Sequence, residues 1–315
     1  MKIIANGIQI EVDDSGAAVD AQGQPRPVVL LIMGLGMQLI DWPTDLVQAL
    51  VNSGLRVVRF DNRDAGLSQH FDALGDVKLP RLLWTGLKFR FGWRIKPPYS
   101  LQDMAVDALG VLDALQIDKA HVVGASMGGM IVQRLALLAP ARLLSLVSLM
   151  SSSGARGLPE ASPEVTRIML GRPVGKSRQA AIDYSVRLFK TIGSPGFPMS
   201  DADLRERVNA STQRSFHPQG TLRQLLAVLA DSARAAALAS VSVPTLVVHG
   251  KNDPLVPFAC GEDTAHRVPG AKLVGIEGMG HDLSPGVVER LLPLLISHFN
   301  DATAAREKGL KSEHS

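Results

Sequence analysis

Residues 121–129 read HVVGASMGG, a short apolar run that closes on one serine, Ser126, set between glycines. Gly and Ser are ordinary loop residues, so a flexible turn is one reading. The other is a backbone bend too tight to admit bulk beside the serine. The flanks favour the second. AHVVG (120–124) has the composition of a buried strand, and MIVQRLALLA (130–139) is helix-patterned up to Pro140. Ser126 therefore stands where a strand turns into a helix.

The same alternation extends outward. VVLLIM (28–33), RVVRFD (56–61) and LLSLVSLM (143–150) read as strands, and TDLVQALVNSG (44–54) as a helix stopping at Gly54. Ser100 opens a further helix through Leu115, with Asp103 three residues on as a capping partner. Leu101, Met104, Ala105, Ala108, Val111, Leu112 and Leu115 give it one apolar face. VPTLVVHG (243–250) and KLVGIEG (272–278) are later strands, and a closing helix is expected near 285–299. Strand–helix alternation implies an α/β fold with a mostly parallel sheet covered on both faces. Between Ser151 and Leu229 strand-like runs give way to helical stretches such as KSRQAAIDYSVRLFKTIG (176–193) and DADLRERVNASTQRSF (201–216). The expected organisation is a core over 1–150 and 230–300, a helical cap over 151–229, and a polar tail over 301–315 that frays.

Composition excludes several classes. Of 315 residues, 46% are hydrophobic and 20% charged, the profile of an ordinary globular protein. The net charge of +3, from 33 basic and 30 acidic residues, gives nucleic-acid binding little support. Cys260 is the single cysteine, so no internal disulfide forms, and it reads as a small buried apolar residue in a reducing compartment. No stretch approaches the roughly 20 apolar residues of a membrane span, and the N-terminus lacks a signal-peptide pattern. The expected location is cytoplasmic. Oligomeric state is not legible.

Gly124-Ala125-Ser126-Met127-Gly128 fits the G-x-S-x-G elbow, in which a strained turn lifts a serine hydroxyl above the sheet and the next helix aims N–H groups at it. A serine hydroxyl needs a base, and the base an orienting acid. In this architecture the order along the chain is serine, carboxylate, histidine. Asp253, in VVHGKNDPLVP, directly follows a strand; His281, in IEGMGHDLSP, lies just past the last one, among glycines. Asp282 is the neighbouring rival, read as a turn residue. The seven other histidines (70, 121, 217, 249, 266, 298 and 314) have no such context and read as structural or solvated.

The chain resembles the α/β-hydrolase superfamily, and within it the bacterial aclacinomycin methylesterase-like serine esterases. The resemblance covers residues 5–300 and is carried by LIMGLGMQLIDWP, DNRDAGLSQ (61–69), HVVGASMGG, HGKNDPLVP and GMGHDL. It implies an α/β-hydrolase fold with a helical cap after the sixth strand. It also implies Ser126 as nucleophile, His281 as base, Asp253 as orienting acid, and the backbone N–H groups of Leu35 and Met127 as oxyanion hole. Many relatives carry His-Gly where this chain has Met33-Gly34, which weakens transfer of their substrates. Asp61, Arg63, Asp64 and Ser68 look like a structural tie.

Serine at the elbow argues against haloalkane or epoxide chemistry, which in related proteins uses aspartate there. No metal-ligand motif appears, and GLG (34–36) lacks the third glycine of a dinucleotide loop. No cofactor is expected. The expected partner is a small-molecule ester, cleaved through an acyl-enzyme. Alternatives on the same triad are a cofactor-free haloperoxidase or perhydrolase, a lactonase or a C–C bond hydrolase; a third reading is a binder without catalysis. One segment stands apart. Residues 77–100, VKLPRLLWTGLKFRFGWRIKPPYS, hold six basic residues between Lys78 and Lys96 and no acidic one, with Trp84, Phe89, Phe91 and Trp93 among them. It reads as a helix with aromatics packed on the core, as part of the pocket's roof, or as a peripheral membrane contact.

Overall fold

The computed structural model describes residues 1–171 and 177–313; Lys176, His314 and Ser315, which belong to stretches read above, lie outside them. The strands are β1 (Lys2–Ala5), β2 (Ile8–Ser15), β3 (Val28–Ile32), β4 (Arg56–Phe60), β5 (Ala120–Ala125), β6 (Leu143–Leu149), β7 (Thr245–Gly250) and β8 (Lys272–Ile276). The helices are α1 (Thr44–Asn52), α2 (Leu79–Phe91), α3 (Leu101–Ala114), α4 (Met127–Leu138), α5 (Pro163–Leu170), α6 (Arg178–Ile192), α7 (Asp201–Arg214), α8 (Pro218–Leu229), α9 (Arg234–Ala237), α10 (Phe258–Arg267) and α11 (Pro285–Glu313).

The eight strands form one sheet in the order β1-β2-β4-β3-β5-β6-β7-β8. β2 runs antiparallel to β1 and β4, and every other neighbouring pair is parallel. β4 pairs with one side of β3 and β5 with the other, so connections leave β3 in opposite directions. Loops diverge there at the carboxyl edge, where open α/β sheets bind ligands.

Strand alternation explains the two-sided core. Leu30 and Ile32 of β3 join Leu101 and Met104 of α3 and Ile131 and Leu135 of α4 on one face. Val29 and Leu31 join Leu46 and Leu50 of α1 and Leu291 and Leu295 of α11 on the other. With both faces covered, β3 reads as an unbroken apolar run. Ser100 caps α3 as expected: its Oγ accepts the Asp103 N–H at 3.2 Å, and Asp103 Oδ2 accepts the Ser100 N–H at 2.7 Å.

Helices α5 to α8 lie between β6 and β7. α6 and α7 share a small apolar cluster of their own, built on Ile182, Val186 and Val208.

Two features depart from the sequence reading. α11 continues through Glu313 instead of ending near 299 and giving way to a frayed tail. Phe299 and Ala302 are buried, and Thr303 donates its hydroxyl to the Phe299 carbonyl at 2.9 Å, so the polar tail begins on an anchored helix. The segment 77–100 contains α2 as expected, but its aromatics do not pack on the core: Trp84, Phe89, Phe91 and Trp93 are exposed. α2 packs against α8 instead.

Candidate active site

Ser126 joins β5 to α4 with φ 54° and ψ −118°, a conformation that L-residues rarely adopt. Its neighbours explain why no side chain is tolerated there. A Cβ on Gly124 would lie 2.1 Å from the Gly128 carbonyl oxygen, and one on Gly128 would lie 2.0 Å from that of Ile32. A Cβ on Gly34 would lie 3.1 Å from Ser126 Cβ, so the loop after β3 presses directly on the serine. The glycines mark close backbone approach, and the flexible-turn reading is set aside.

His281 follows β8 and its ring reaches Ser126, with Nε2 3.0 Å from Ser126 Oγ. Nδ1 lies 2.7 Å from Asp253 Oδ2. A carboxylate only accepts, so Nδ1–H donates to Asp253 and Nε2 is left to accept the serine proton. Asp253 follows β7 and is itself fixed: its Oδ1 accepts the N–H groups of Leu255 and Val256 at 2.9 and 2.8 Å. Asp253 and His281 are both buried, at 6% and 8% exposure. Desolvation strengthens the hydrogen bond between them.

Asp282 plays a different part. It accepts the Ser194 hydroxyl on Oδ1 and the Ser194 N–H on Oδ2, while Ser194 Oγ accepts the Gly280 N–H at 2.9 Å. The His281 N–H donates to the Ile192 carbonyl at 2.7 Å. The end of α6 thus holds the histidine loop, a role that no motif in the sequence marks.

Met127 opens α4, so its N–H has no acceptor within the helix. Leu35 sits in the loop that presses on Ser126, between Gly34 and Gly36. That loop is held from several sides. Asn62 donates to the Met33 carbonyl at 2.9 Å, and Asp61 Oδ1 accepts the Leu39 N–H at 2.7 Å. Gln224 of α8 accepts the Gly36 N–H at 2.8 Å and donates to the Arg63 carbonyl at 2.8 Å. Gln224 is fully buried and was not singled out from sequence.

The DNRDAGLS turn is the structural tie its sequence suggested. Arg63 forms a two-point pair with Asp107, and Arg223 of α8 forms another with Asp64, at 2.8 Å for both bonds. Burial alone would raise the Asp64 carboxyl, but donation from Arg223 and from the Phe71 N–H outweighs it and leaves the group below the usual range. Ser68 donates to the Asp61 carbonyl at 2.6 Å, and Arg214 of α7 reaches Asp61 Oδ2 at 2.7 Å.

The other candidates have plain surroundings. His249 lies 3.6 Å from Asp253 Oδ2, but its Nε2 is 2.7 Å from the Val256 carbonyl; burial, chiefly, holds its pKa below the ordinary value. Burial pushes the Cys260 thiol up to about 11, consistent with an unreactive packed cysteine. His70, Asp72 and His217 come close enough together to share a cation. Arg223 Nη2 already lies 2.9 Å from His217 Nε2 and 3.0 Å from Asp72, so a guanidinium fills that place.

The profile of the alpha/beta hydrolase fold family matches residues 27–285. The chain belongs to that family. Among curated relatives, this α/β hydrolase is 30% identical over 294 residues to rhodomycin D methylesterase DauP of Streptomyces sp. (strain C5). The match takes in 87% of this chain and 91% of that one. Rhodomycin D methylesterase DnrP of Streptomyces peucetius matches with the same identity and coverage. Among solved structures, the meta-cleavage product hydrolase CumD of Pseudomonas fluorescens IP01 superposes with a TM-score of 0.71 at 22% identity. That match covers 96% of this chain and 98% of the other and speaks to the fold alone. The methylesterase-like resemblance is borne out by these relatives, and so is the α/β-hydrolase fold. No helix among the described residues is long and apolar enough to cross a membrane.

Proposed function

We propose that this α/β hydrolase cleaves carboxylic esters of small to medium apolar substrates through an acyl-enzyme on Ser126. One observation carries the reading: the unbroken hydrogen-bond chain from Ser126 Oγ to His281 (3.0 Å) to Asp253 (2.7 Å), set on a strained elbow. As Ser126 Oγ attacks the ester carbonyl carbon, its proton passes to His281 Nε2. The new imidazolium is held by Asp253 through Nδ1–H. The carbonyl oxygen becomes an oxyanion, and in this reading the N–H groups of Met127 and Leu35 receive it. When the intermediate collapses, His281 returns the proton to the departing alcohol oxygen. Water then enters and attacks the acyl carbon as it gives a proton to His281; when this second intermediate collapses, His281 passes that proton to Ser126 Oγ, which releases the acid and restores free Ser126.

The methylesterase names of two relatives at 30% identity support an ester, and a small alcohol as leaving group. Met33 in place of histidine leaves the backbone at Gly34 and Leu35 unchanged in kind, and its side chain is buried in the apolar cluster that holds Val123 and Ala125. In this reading, α5 to α8 form the cap over the acyl side, the substrate is a small-molecule ester, and the enzyme works in the cytoplasm. The test is hydrolysis of p-nitrophenyl acetate followed from the first turnover. An acyl-enzyme gives a burst of one p-nitrophenol per active site when deacylation is slower. No turnover of acetyl, butyryl or methyl esters would overturn the proposal.

A further inference from the structure

α2 turns its apolar face outward. At about 100° per residue, Leu83, Leu87, Phe91 and Trp84 fall on one stripe about 100° wide. Leu83, Trp84 and Phe91 on that stripe are 50–62% exposed. Thr85, on the far side of the helix, is buried. Trp93 extends the stripe: Gly92 ends the helix in the left-handed region (φ 71°) and turns the chain back. The Trp93 ring then lies 5.5 Å from Phe91 and 5.9 Å from Trp84. Such a stripe on a surface helix is costly in water and marks a contact.

Charge decides what the contact is. On the same wheel Arg90 borders the stripe on one side and Lys88 and Arg81 on the other. Lys88 Nζ sits 5.8 Å over the Trp84 ring, and both Arg81 and Arg90 are exposed. With Lys78, Arg94 and Lys96 the segment carries six positive charges and no negative one.

We propose that this face seats the protein on an anionic lipid bilayer. Trp84, Trp93, Phe91 and Leu83 enter the boundary between headgroups and acyl chains, and the basic border meets the lipid phosphates. Tryptophan suits that depth because its ring is apolar and its N–H stays near water. A second copy of the chain fits less well, since a self-complementary contact would bring the two basic borders together. The seat is also linked to the site through α8. α2 rests on α8, and α8 supplies Gln224 to the loop beside Ser126. Apolar esters partition into bilayers, so the enzyme would meet them at raised concentration.

The test uses the full chain with vesicles of phosphatidylcholine alone or mixed with phosphatidylglycerol. The protein is expected to sediment with the mixed vesicles at low salt and to be released as salt rises. Tryptophan emission shifts to the blue on binding, and Trp42 is fully buried, so the shift reports Trp84 and Trp93. Trp84→Ser with Phe91→Ser, and separately Lys88→Gln with Arg90→Gln, each weaken binding about tenfold or more. Both leave turnover of a soluble acetyl ester unchanged. Wild-type protein that stays in the supernatant with mixed vesicles at low salt overturns the proposal. So does vesicle binding that the paired substitutions leave unaltered. A wild-type dimer that Trp84→Ser with Phe91→Ser makes monomeric, without vesicle binding, would give the face to a second copy instead.

Discussion

Asp253 Oδ2 accepts from His281 Nδ1 at 2.7 Å, although Asp282 stands next to that histidine in the chain. Adjacent side chains in a turn point apart, and Asp282 is held by Ser194. Asp253→Asn is therefore expected to cost about 10⁴ in kcat, because an amide at that place favours the wrong imidazole tautomer. Asp282→Asn keeps a short polar side chain against Ser194, and its loss in kcat should stay within about tenfold, an order-of-magnitude figure for a small displacement of a positioned group. Steady-state kinetics on an acetyl ester decide between them. A larger loss from Asp282→Asn would mean that the acid has been assigned to the wrong residue.

Gln224 joins α8 to the loop that presents Leu35. Gln224→Leu leaves the Gly36 N–H and the Arg63 carbonyl without their partners. A misplaced oxyanion donor weakens the transition state more than the ground state. The expected result is a fall in kcat of about tenfold to a hundredfold with little change in KM. Gln224→Glu keeps the acceptor for Gly36 and should recover part of the loss. A change confined to KM would place Gln224 in substrate contact instead.

Gly128 and Gly86 make a matched pair. A methyl group on Gly128 would sit 2.0 Å from the Ile32 carbonyl, whereas one on Gly86 meets nothing within 4 Å. Gly128→Ala is expected to lower the unfolding midpoint sharply or prevent folding. Gly86→Ala, in an exposed helix, should be neutral or stabilise by up to about 1 kcal/mol. Urea titrations check both, and a Gly128→Ala protein as stable as wild type would contradict the packing at the elbow.

How much of this was legible in the sequence follows from how far apart the partners lie. The elbow is local: strand, glycines, serine and helix sit within twenty residues, and steric need is written into composition. His281 and Asp253 could be picked because each follows a strand whose apolar pattern is plain. Gln224 could not, since it meets Gly36 across 188 positions and nothing in the helical stretch TLRQLLAVL (221–229) marks its glutamine as aimed inward. The direction of the α2 face stayed open among three readings for another reason. A helical wheel shows an apolar stripe but carries no sign saying which way the stripe points. The length of α11 was hidden because the burial of Phe299 and Ala302 anchors a polar continuation from outside its own pattern.

Burial makes His121 a source of acid sensitivity. It lies on β5 with Nδ1 2.8 Å from Ser145 Oγ. Burial, and then the nearby His298, lower its pKa from the ordinary 6.5 to about 4. The folded value is below the unfolded one, so between them the unfolded chain binds a proton that the fold refuses. Stability is full above about pH 6.5 and is lost as pH falls toward 4, by on the order of 3 kcal/mol. His121→Gln cannot titrate there; it should be less stable than wild type at pH 7 yet lose less between pH 6.5 and 4. Urea midpoints at both pH values test this, and equal losses in the two proteins would contradict it.

The central claim is that Ser126 carries the acyl group. It is tested most directly by treating the enzyme with a fluorophosphonate and mapping the adduct by peptide mass spectrometry. The expected result is one modification, on Ser126, with loss of turnover in step with labelling. Ser126→Ala should fold, take no label and lose about 10⁴ or more in kcat. Ser126→Ala protein that keeps most of its esterase turnover, or wild-type protein inactivated with the adduct on another residue, would contradict the mechanism.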